Sequence, residues 1–214
     1  MRILAEELFL LSDDRVTGRP LLDHGHLDLG LSGALLMELA LRKSIVLVDD
    51  HVHIALPTAT GDQLLDKTLA AISGESRPHD PEYWVRRCAR NVYHEIRDRL
   101  ITAGVLRRDH HRVFGFIPVH QTPQVDTKLE KGLTDHLFDA VVVGRPASDR
   151  TAALASLVLA VGLERHLFPR CDPRAIQRRL AELAREPWVA QAVAHTINAT
   201  DAALGIVPFE DSIE

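Results

Sequence analysis

Arginine side chains dominate one stretch of an otherwise acidic chain. Residues 82–112 hold eight arginines against four acids, a local net charge of +4, whereas the full 214-residue chain carries −5 at pH 7. At about 100° per residue, a helix through this stretch places three arginines and a tyrosine within an arc of roughly 60°. They are Arg86, Arg90, Tyr93 and Arg97. Guanidinium groups on a shared face can bind phosphate through paired hydrogen bonds, so the pattern indicates a site for an anionic ligand.

The same arginines have a second interpretation. Glu95 and Asp98 lie among them, and a charged helix face is commonly solvated and paired with nearby acids. The sequence alone leaves open whether these arginines bind a ligand or only keep one helix face in water.

Two histidine pairs form a weaker pattern. His24 and His26, and likewise His51 and His53, point to one side of a locally extended chain, a spacing that suits metal binding. No cysteine or carboxylate stands at a companion spacing that would complete a convincing ligand set. We therefore predict no metal site.

Motifs of common enzyme classes do not occur in the sequence. It has no G-x-S-x-G, H-E-x-x-H, P-loop or G-x-G-x-x-G string. Glu38, in a leucine-rich segment, is the most unusual acid, and Arg42 four residues later is its expected ion-pair partner. A lone carboxylate without a second catalytic group does not indicate acid–base chemistry. We therefore expect a protein that is not an enzyme and needs no cofactor.

Composition and charge restrict which folds, partners and cellular locations the sequence allows. Aromatic residues make up 5% of the chain, so the core must consist mainly of Leu, Val, Ile and Ala, which favours helices over a β-sandwich.

The acidic net charge argues against nucleic acid as a partner. Acids interrupt the apolar N-terminus, and no run of 18 apolar residues occurs, so neither a signal peptide nor a transmembrane segment is predicted. Two cysteines without CxxC spacing indicate a reducing, cytoplasmic location.

Apolar periodicity and capping residues predict a mainly α-helical bundle, with residues 1–214 in a single domain. The predicted helices cover 3–11, 34–42, a segment opened by 60–62, 81–103, 122–143, 148–163, a segment capped at 172 and a last segment that begins at 187. The helix capped by Ser148 is apolar nearly all round, which is typical of the buried centre of a bundle. Amphipathic helices are expected around it.

Two short β-hairpins are also predicted. The first covers residues 45–56, and the second covers 105–119 with its turn at 109–111. Phe114 and Phe116 lie in a segment of the second hairpin that is apolar on both faces, and a two-stranded hairpin cannot bury such a surface alone. It is expected either to pack on its own domain or to join copies of the chain into a homo-oligomer.

Four leucine-rich segments follow one another along the chain. They are L-A-E-E-L-F-L-L at 4–11 with an acidic turn at 13–14, G-L-S-G at 30–33 running into L-M-E-L-A-L-R at 36–42, T-G-D-Q-L-L-D at 60–66, and R-D-R-L at 97–100 leading to G-V-L at 104–106. In order and spacing they resemble the Golgi phosphoprotein 3 family, in its compact bacterial form. The resemblance implies a helical core and a hairpin used in self-association. It also implies kinship with peripheral Golgi membrane proteins that bind phosphatidylinositol 4-phosphate and the cytoplasmic tails of membrane enzymes.

The resemblance further implies which positions bind a lipid headgroup. The family's pocket uses a tryptophan in the loop after the first helix, an arginine in a G-L-R-G turn and two arginines three apart on a later helix. Here residues 19–29 hold no tryptophan, Ser32 stands in the turn, Arg90 matches the first helix position and Tyr93 stands at the second. The resemblance thus singles out Arg90, Tyr93 and Ser32, and the arginine pattern described above adds Arg86 and Arg97 to the candidate headgroup ligands.

The predicted function is a non-enzymatic peripheral membrane module that binds anionic phospholipid headgroups, phosphatidylinositol 4-phosphate among them. The alternative is a soluble protein–protein adaptor that has lost the lipid site, which would explain the three departures from the family's pocket.

Overall fold

The computed structural model describes residues 2–14, 19–107, 109–113, 117–121, 127–184 and 186–205. These ranges contain ten α-helices, one π-helical turn and two two-stranded antiparallel sheets. The α-helices are α1 (Leu4–Leu11), α2 (His24–Leu41), α3 (Gln63–Ser73), α4 (Pro81–Cys88), α5 (Val92–Thr102), α6 (Thr127–Phe138), α7 (Asp149–Ala160), α8 (Glu164–Leu167), α9 (Pro173–Leu183) and α10 (Pro187–Ala203). The strands are β1 (Ile45–Val48), β2 (His51–Ile54), β3 (Asp109–Val113) and β4 (Ile117–Gln121). The predicted mainly α-helical bundle with short hairpins is confirmed.

Helix α2 is a central element of the bundle. It packs against α1, α3, α4, α5, α7 and α10, and every residue from 29 to 40 is buried. The prediction that this helix starts near residue 34 is wrong. The carboxylate of Asp23 accepts a hydrogen bond from the backbone N–H of His26 and caps the helix ten residues earlier than predicted, at His24.

Two glycines inside α2 allow neighbouring helices to approach closely. A Cβ at Gly30 would lie 2.5 Å from Cγ1 of Val161, and a Cβ at Gly33 would lie 2.2 Å from Cγ2 of Val193. Both distances are far shorter than a van der Waals contact, so a larger residue would push the helices apart. From the sequence alone, Gly30 and Gly33 favour the prediction of a loop. In the structure they lie inside α2, where they allow neighbouring helices to pack closely against it.

Helix α7 is buried from residue 152 to 158, as its all-apolar sequence predicts. The Ser148 hydroxyl accepts a hydrogen bond from the N–H of Thr151, and Asp62 and Asp172 cap α3 and α9 in the same manner. These three helix starts are confirmed. In the described ranges no helix combines the length and apolar character needed to cross a membrane.

The arginine-rich segment forms two helices where one was predicted. Helix α4 ends at Cys88 and α5 begins at Val92, and between them Asn91 takes a left-handed conformation with φ of 62°. Asparagine tolerates this conformation better than most residues, and it redirects the chain. The prediction of one helix over 81–103 is wrong, so Arg86 and Arg97 do not share a helix face.

The two hairpins differ in how well the sequence places them. In the first, β1 pairs with β2 and Ile45 lies opposite Ile54, close to the prediction. In the second, β3 pairs with β4 and Val113 lies opposite Ile117. Because residues 109–111 belong to strand β3, the predicted turn at 109–111 is wrong. Phe114 and Phe116 lie outside the described residues, so the homo-oligomer contact stays a prediction.

Candidate anion-binding site

A pocket of about 590 Å³ opens between α3 and the α4–α5 pair. Four basic side chains line it, and we call this site the basic pocket. They are Lys67 on α3, Arg86 and Arg87 on α4, and Arg90 in the turn before α5. The break between α4 and α5 therefore positions the site, because Arg90 lies in the turn between the two helices.

Two of these cations face solvent. Arg86 and Arg90 are exposed, and within the described part of the chain neither makes a hydrogen bond or ion pair. An exposed guanidinium without a protein partner presents its N–H groups to solvent, and these groups match the geometry of phosphate oxygens.

The other two cations are partly neutralised. The Nζ atom of Lys67 lies 2.6 Å from the carboxylate of Glu95, which also lines the pocket. Arg87 lies 3.0 Å from the carboxylate of Glu75. These pairs hold α3 against α4 and α5 at the mouth of the pocket, and they leave most of its available positive charge on Arg86 and Arg90.

The inner wall of the pocket is apolar. Leu35 and Val92 are each 3% exposed, and Leu64 and Ala71 are half-buried against the core. The basic pocket thus combines a cationic rim with a hydrophobic wall.

Tyr93 and Arg97 lie on α5 and do not line the basic pocket. The Tyr93 ring is 7% exposed and packs with its centroid 5.0 Å from that of Phe9. Burial raises the pKa of Tyr93 to about 12, and the Asp13 carboxylate adds to this effect. Arg97 lies beside the tyrosine ring and donates to the carboxylate of Asp98 at 3.0 Å. Tyr93 and Arg97, both predicted as site residues, therefore lie beside each other and away from the basic pocket.

Ser32 lies in the core. Its side chain is fully buried, and its hydroxyl donates to the backbone carbonyl of Val85 at 2.8 Å. This hydrogen bond ties α2 to α4. Of the five predicted ligands, the structure brings only Arg86 and Arg90 together at the basic pocket.

A second group of charges lies near the C-terminal end of α2 and around α1. We call it the ionic centre. It comprises Glu6, Glu7, Glu38 and Asp62 with Arg42, Arg99 and Arg150. Its acids are almost completely buried, since Glu38 is 2% exposed and Glu6 is 4% exposed. Buried carboxylates require charged or hydrogen-bonding partners, and each of these has them.

Glu38 is held by three partners. Its carboxylate accepts from Arg150 at 3.0 Å, from Arg42 at 3.0 Å and from the backbone N–H of Leu4 at 2.8 Å. The predicted Glu38–Arg42 pair is confirmed. Arg150 also donates to Glu7 at 2.9 Å. One guanidinium therefore connects α7 to both α1 and α2.

Arg99 connects α5 to α1 and to the cap of α3. Its Nε lies 2.8 Å from the carboxylate of Glu6, and its Nη1 donates to Asp62 at 2.9 Å. Burial by itself would raise the pKa of Asp62, but the hydrogen bonds from Arg99 and from the N–H of Leu65 hold it below its usual value. Asp62 thus remains ionised while it caps α3.

Asp13 is a buried carboxylate of a different kind. It is 3% exposed, and neither of its side-chain oxygens has a hydrogen-bond partner among the residues described. Burial raises the pKa of Asp13 to about 7, and the nearby Glu130 carboxylate contributes. Around neutral pH this group therefore carries a proton much of the time.

The histidine pairs do not assemble a metal site. Across the described ranges, no group of three or more His, Cys, Asp or Glu side chains is arranged to hold a metal ion. His26 instead contacts the carboxylates of Asp23 and Asp201, each at 2.8 Å.

The sequence interpretation missed Lys67 and Arg87 as pocket residues. Lys67 belongs to a distant segment and reaches the site through the packing of α3, which no local pattern indicates. Arg87 stands next to Arg86 in the chain, so the adjacent arginine pair was a usable signal.

The sequence of the whole chain was compared with known protein families and with curated proteins. The profile of the Golgi phosphoprotein 3 (GPP34) family matches residues 4–200. A search of the curated proteins finds no match. Since the family match covers most of the chain, including both the basic pocket and the ionic centre, this protein belongs to the Golgi phosphoprotein 3 (GPP34) family.

Proposed function

We propose that this protein is a non-catalytic peripheral membrane module that binds the headgroups of anionic phospholipids at the basic pocket. Phosphatidylinositol 4-phosphate is the first headgroup to test, because of the family to which the chain belongs. The observation that carries the proposal is the pair of exposed guanidinium groups, Arg86 and Arg90, which have no partner among the described residues.

The binding energy has two sources. Each basic residue near an anionic membrane surface contributes about 1 kcal/mol of Coulombic attraction. Directed hydrogen bonds from a guanidinium to phosphate oxygens add to this attraction and give orientation. The chain as a whole carries −5, so attraction to an anionic surface depends on the orientation that presents the basic pocket. We place the protein on the cytoplasmic face of a membrane.

Flotation with vesicles tests the proposal. The wild type should bind vesicles that contain phosphatidylinositol 4-phosphate or phosphatidylserine more tightly than vesicles of phosphatidylcholine alone, and less tightly as salt rises. Replacement of Arg86 and Arg90 together by alanine removes about 2 kcal/mol of attraction, so affinity should fall about 30-fold at low salt.

A matched control is available on α9. Arg174 and Arg178 are exposed and do not line the basic pocket. The Arg174→Ala, Arg178→Ala variant has the same net charge as the pocket variant and should retain nearly wild-type binding. If the two double variants lose equal affinity, binding depends on net charge and the assignment of the site is wrong.

One observation favours a second function. Ser32 and Tyr93, at positions where the family's pocket carries arginines, are buried in the core or against Phe9. A protein–protein adaptor without a lipid site is compatible with this arrangement. Absence of binding to every anionic vesicle, together with capture of a defined cytoplasmic protein by the folded chain, would favour the adaptor.

A further inference from the structure

We propose that the basic pocket binds a phosphate group together with a short aliphatic segment of the same molecule, so that its ligand is an amphiphile and not a headgroup alone. This inference rests on the proposed phosphate site and specifies its ligand class. The juxtaposition that supports it is the cationic rim of Arg86 and Arg90 over a wall formed by Leu35, Leu64 and Val92.

Two of the polar side chains that line the pocket, Thr68 and Cys88, offer little to a wholly polar ligand. The hydroxyl of Thr68 already donates to the backbone carbonyl of Leu64 at 2.9 Å. The thiol of Cys88 is mostly shielded, and burial raises its pKa to about 11, so it stays neutral at pH 7. Ligand hydroxyls facing Leu35 and Val92 would lose their bonds to water without replacement, which costs free energy.

Methylene groups suit the same wall. Moving them out of water onto Leu64 and Ala71 is favourable and needs no directed partner. The pocket volume of about 590 Å³ lies in the range of small-molecule sites. A phosphate at the rim and a flexible aliphatic segment along the wall would therefore match both parts of the pocket.

A series of alkyl phosphates tests this inference without a membrane. Inorganic phosphate and the methyl, butyl, hexyl and octyl monophosphates, each below its micelle concentration, are titrated into the folded protein and followed by NMR. Affinity should rise about two- to fourfold for each methylene that enters the pocket. It should reach a plateau once the chain extends beyond the pocket.

Variants of two neighbouring alanines on α3 provide the control. Ala71 lines the pocket and Ala70 is exposed beside it. Ala71→Gln should flatten the dependence on chain length while inorganic phosphate still binds, and Ala70→Gln should leave the dependence unchanged. Leu64→Asn provides a second test of the wall, should Ala71→Gln unfold. Arg90→Ala should weaken every member of the series.

The outcomes separate this inference from the proposed function. Equal affinity for phosphate and for every alkyl phosphate overturns the amphiphile inference and leaves an anion site intact. A chain-length dependence that survives both Ala71→Gln and Leu64→Asn also overturns it, because the alkyl chain then binds elsewhere. Absence of binding by the whole series, up to millimolar concentrations, overturns the inference and the phosphate site together.

Discussion

Arginines occupy two opposite environments in this protein. In the ionic centre, Arg99 and Arg150 each contact carboxylates on other elements, and those carboxylates are buried. At the basic pocket, Arg86 and Arg90 are exposed and no described residue pairs with them. A guanidinium whose hydrogen bonds are used inside the protein stabilises the fold, whereas one that faces solvent remains available to a ligand.

Two of the four leucine-rich segments supply residues of the ionic centre. E-L-A-L-R contributes Glu38 and Arg42 to the ionic centre, and T-G-D-Q-L-L-D contributes the cap residue Asp62. Asp66 of the same motif accepts hydrogen bonds from Thr60. These two segments therefore help to assemble α1, α2, α3 and α5.

Removal of a carboxylate from the ionic centre should have the largest effect. Glu38→Ala leaves Arg150, Arg42 and the Leu4 N–H without their shared acceptor, so the free energy of unfolding should fall by about 3–5 kcal/mol. Urea unfolding measures the change. Glu182→Ala, which removes half of an exposed pair with Arg179, should cost less than about 1 kcal/mol. Equal losses in the two variants would contradict the role given to the ionic centre.

Asp13 tests what burial does to a carboxylate that has no hydrogen-bond partner among the described residues. Its pKa is about 7 in the folded protein and about 4 when unfolded, so the folded state binds the proton more tightly. The resulting stabilisation is complete below about pH 4 and is lost as pH rises to about 7, at most about 1.4 kcal/mol for each pH unit.

The Asp13→Asn variant cannot titrate at this position. Its free energy of unfolding relative to wild type should therefore increase steadily between pH 5 and pH 7 and level off above that. Urea unfolding at a series of pH values measures this difference. A difference that stays constant with pH would show that the Asp13 carboxyl titrates normally in the folded state.

The Gly33→Ala variant tests whether α2 needs a glycine at the point where α10 packs closely against it. A methyl group there meets Val193 at 2.2 Å, so Gly33→Ala should reduce the free energy of unfolding by about 1–3 kcal/mol despite alanine's better helix propensity. The double variant Gly33→Ala, Val193→Ala should recover part of the loss through relief of the overlap. Thermal and urea unfolding of the three proteins check this expectation. A Gly33→Ala protein as stable as wild type would contradict the packing explanation.

The smallest effect on stability is expected at the basic pocket. Replacement of Arg86 and Arg90 by alanine removes exposed side chains that no described residue pairs with, so the free energy of unfolding should change by about 0.5 kcal/mol or less for each. The same variant should lose vesicle binding. A large loss of stability would mean that these arginines belong to the fold, as Arg99 and Arg150 do.

Local signals in the sequence were sufficient for much of the fold. Caps at Asp62, Ser148 and Asp172 act within one helical turn, so residue type and spacing predict them. The start of α2 was missed although Asp23 caps it in the same manner, because the glycines that follow favour a loop. Gly30 and Gly33 lie inside the helix because other helices approach it closely there. This tertiary packing cannot be recognised from the sequence of α2 alone.

The candidate site was only partly predictable for a similar reason. Arg86 and Arg90 were identified from local charge, but their grouping with Tyr93 and Arg97 assumed one continuous helix. No proline or glycine marks the break, which depends on the left-handed conformation of Asn91. Lys67 lines the basic pocket because α3 packs beside it, and no local pattern in the sequence indicates this.

The contrast between free and paired arginines is tested most directly by NMR of the arginine side-chain Nε–H groups during titration with inositol 1,4-bisphosphate. Signals of Arg86 and Arg90 should shift progressively with the soluble headgroup, while those of Arg99 and Arg150 stay in place. A titration that perturbs Arg97 instead, or that leaves both pocket arginines unchanged at saturating headgroup, would contradict the assignment of the basic pocket.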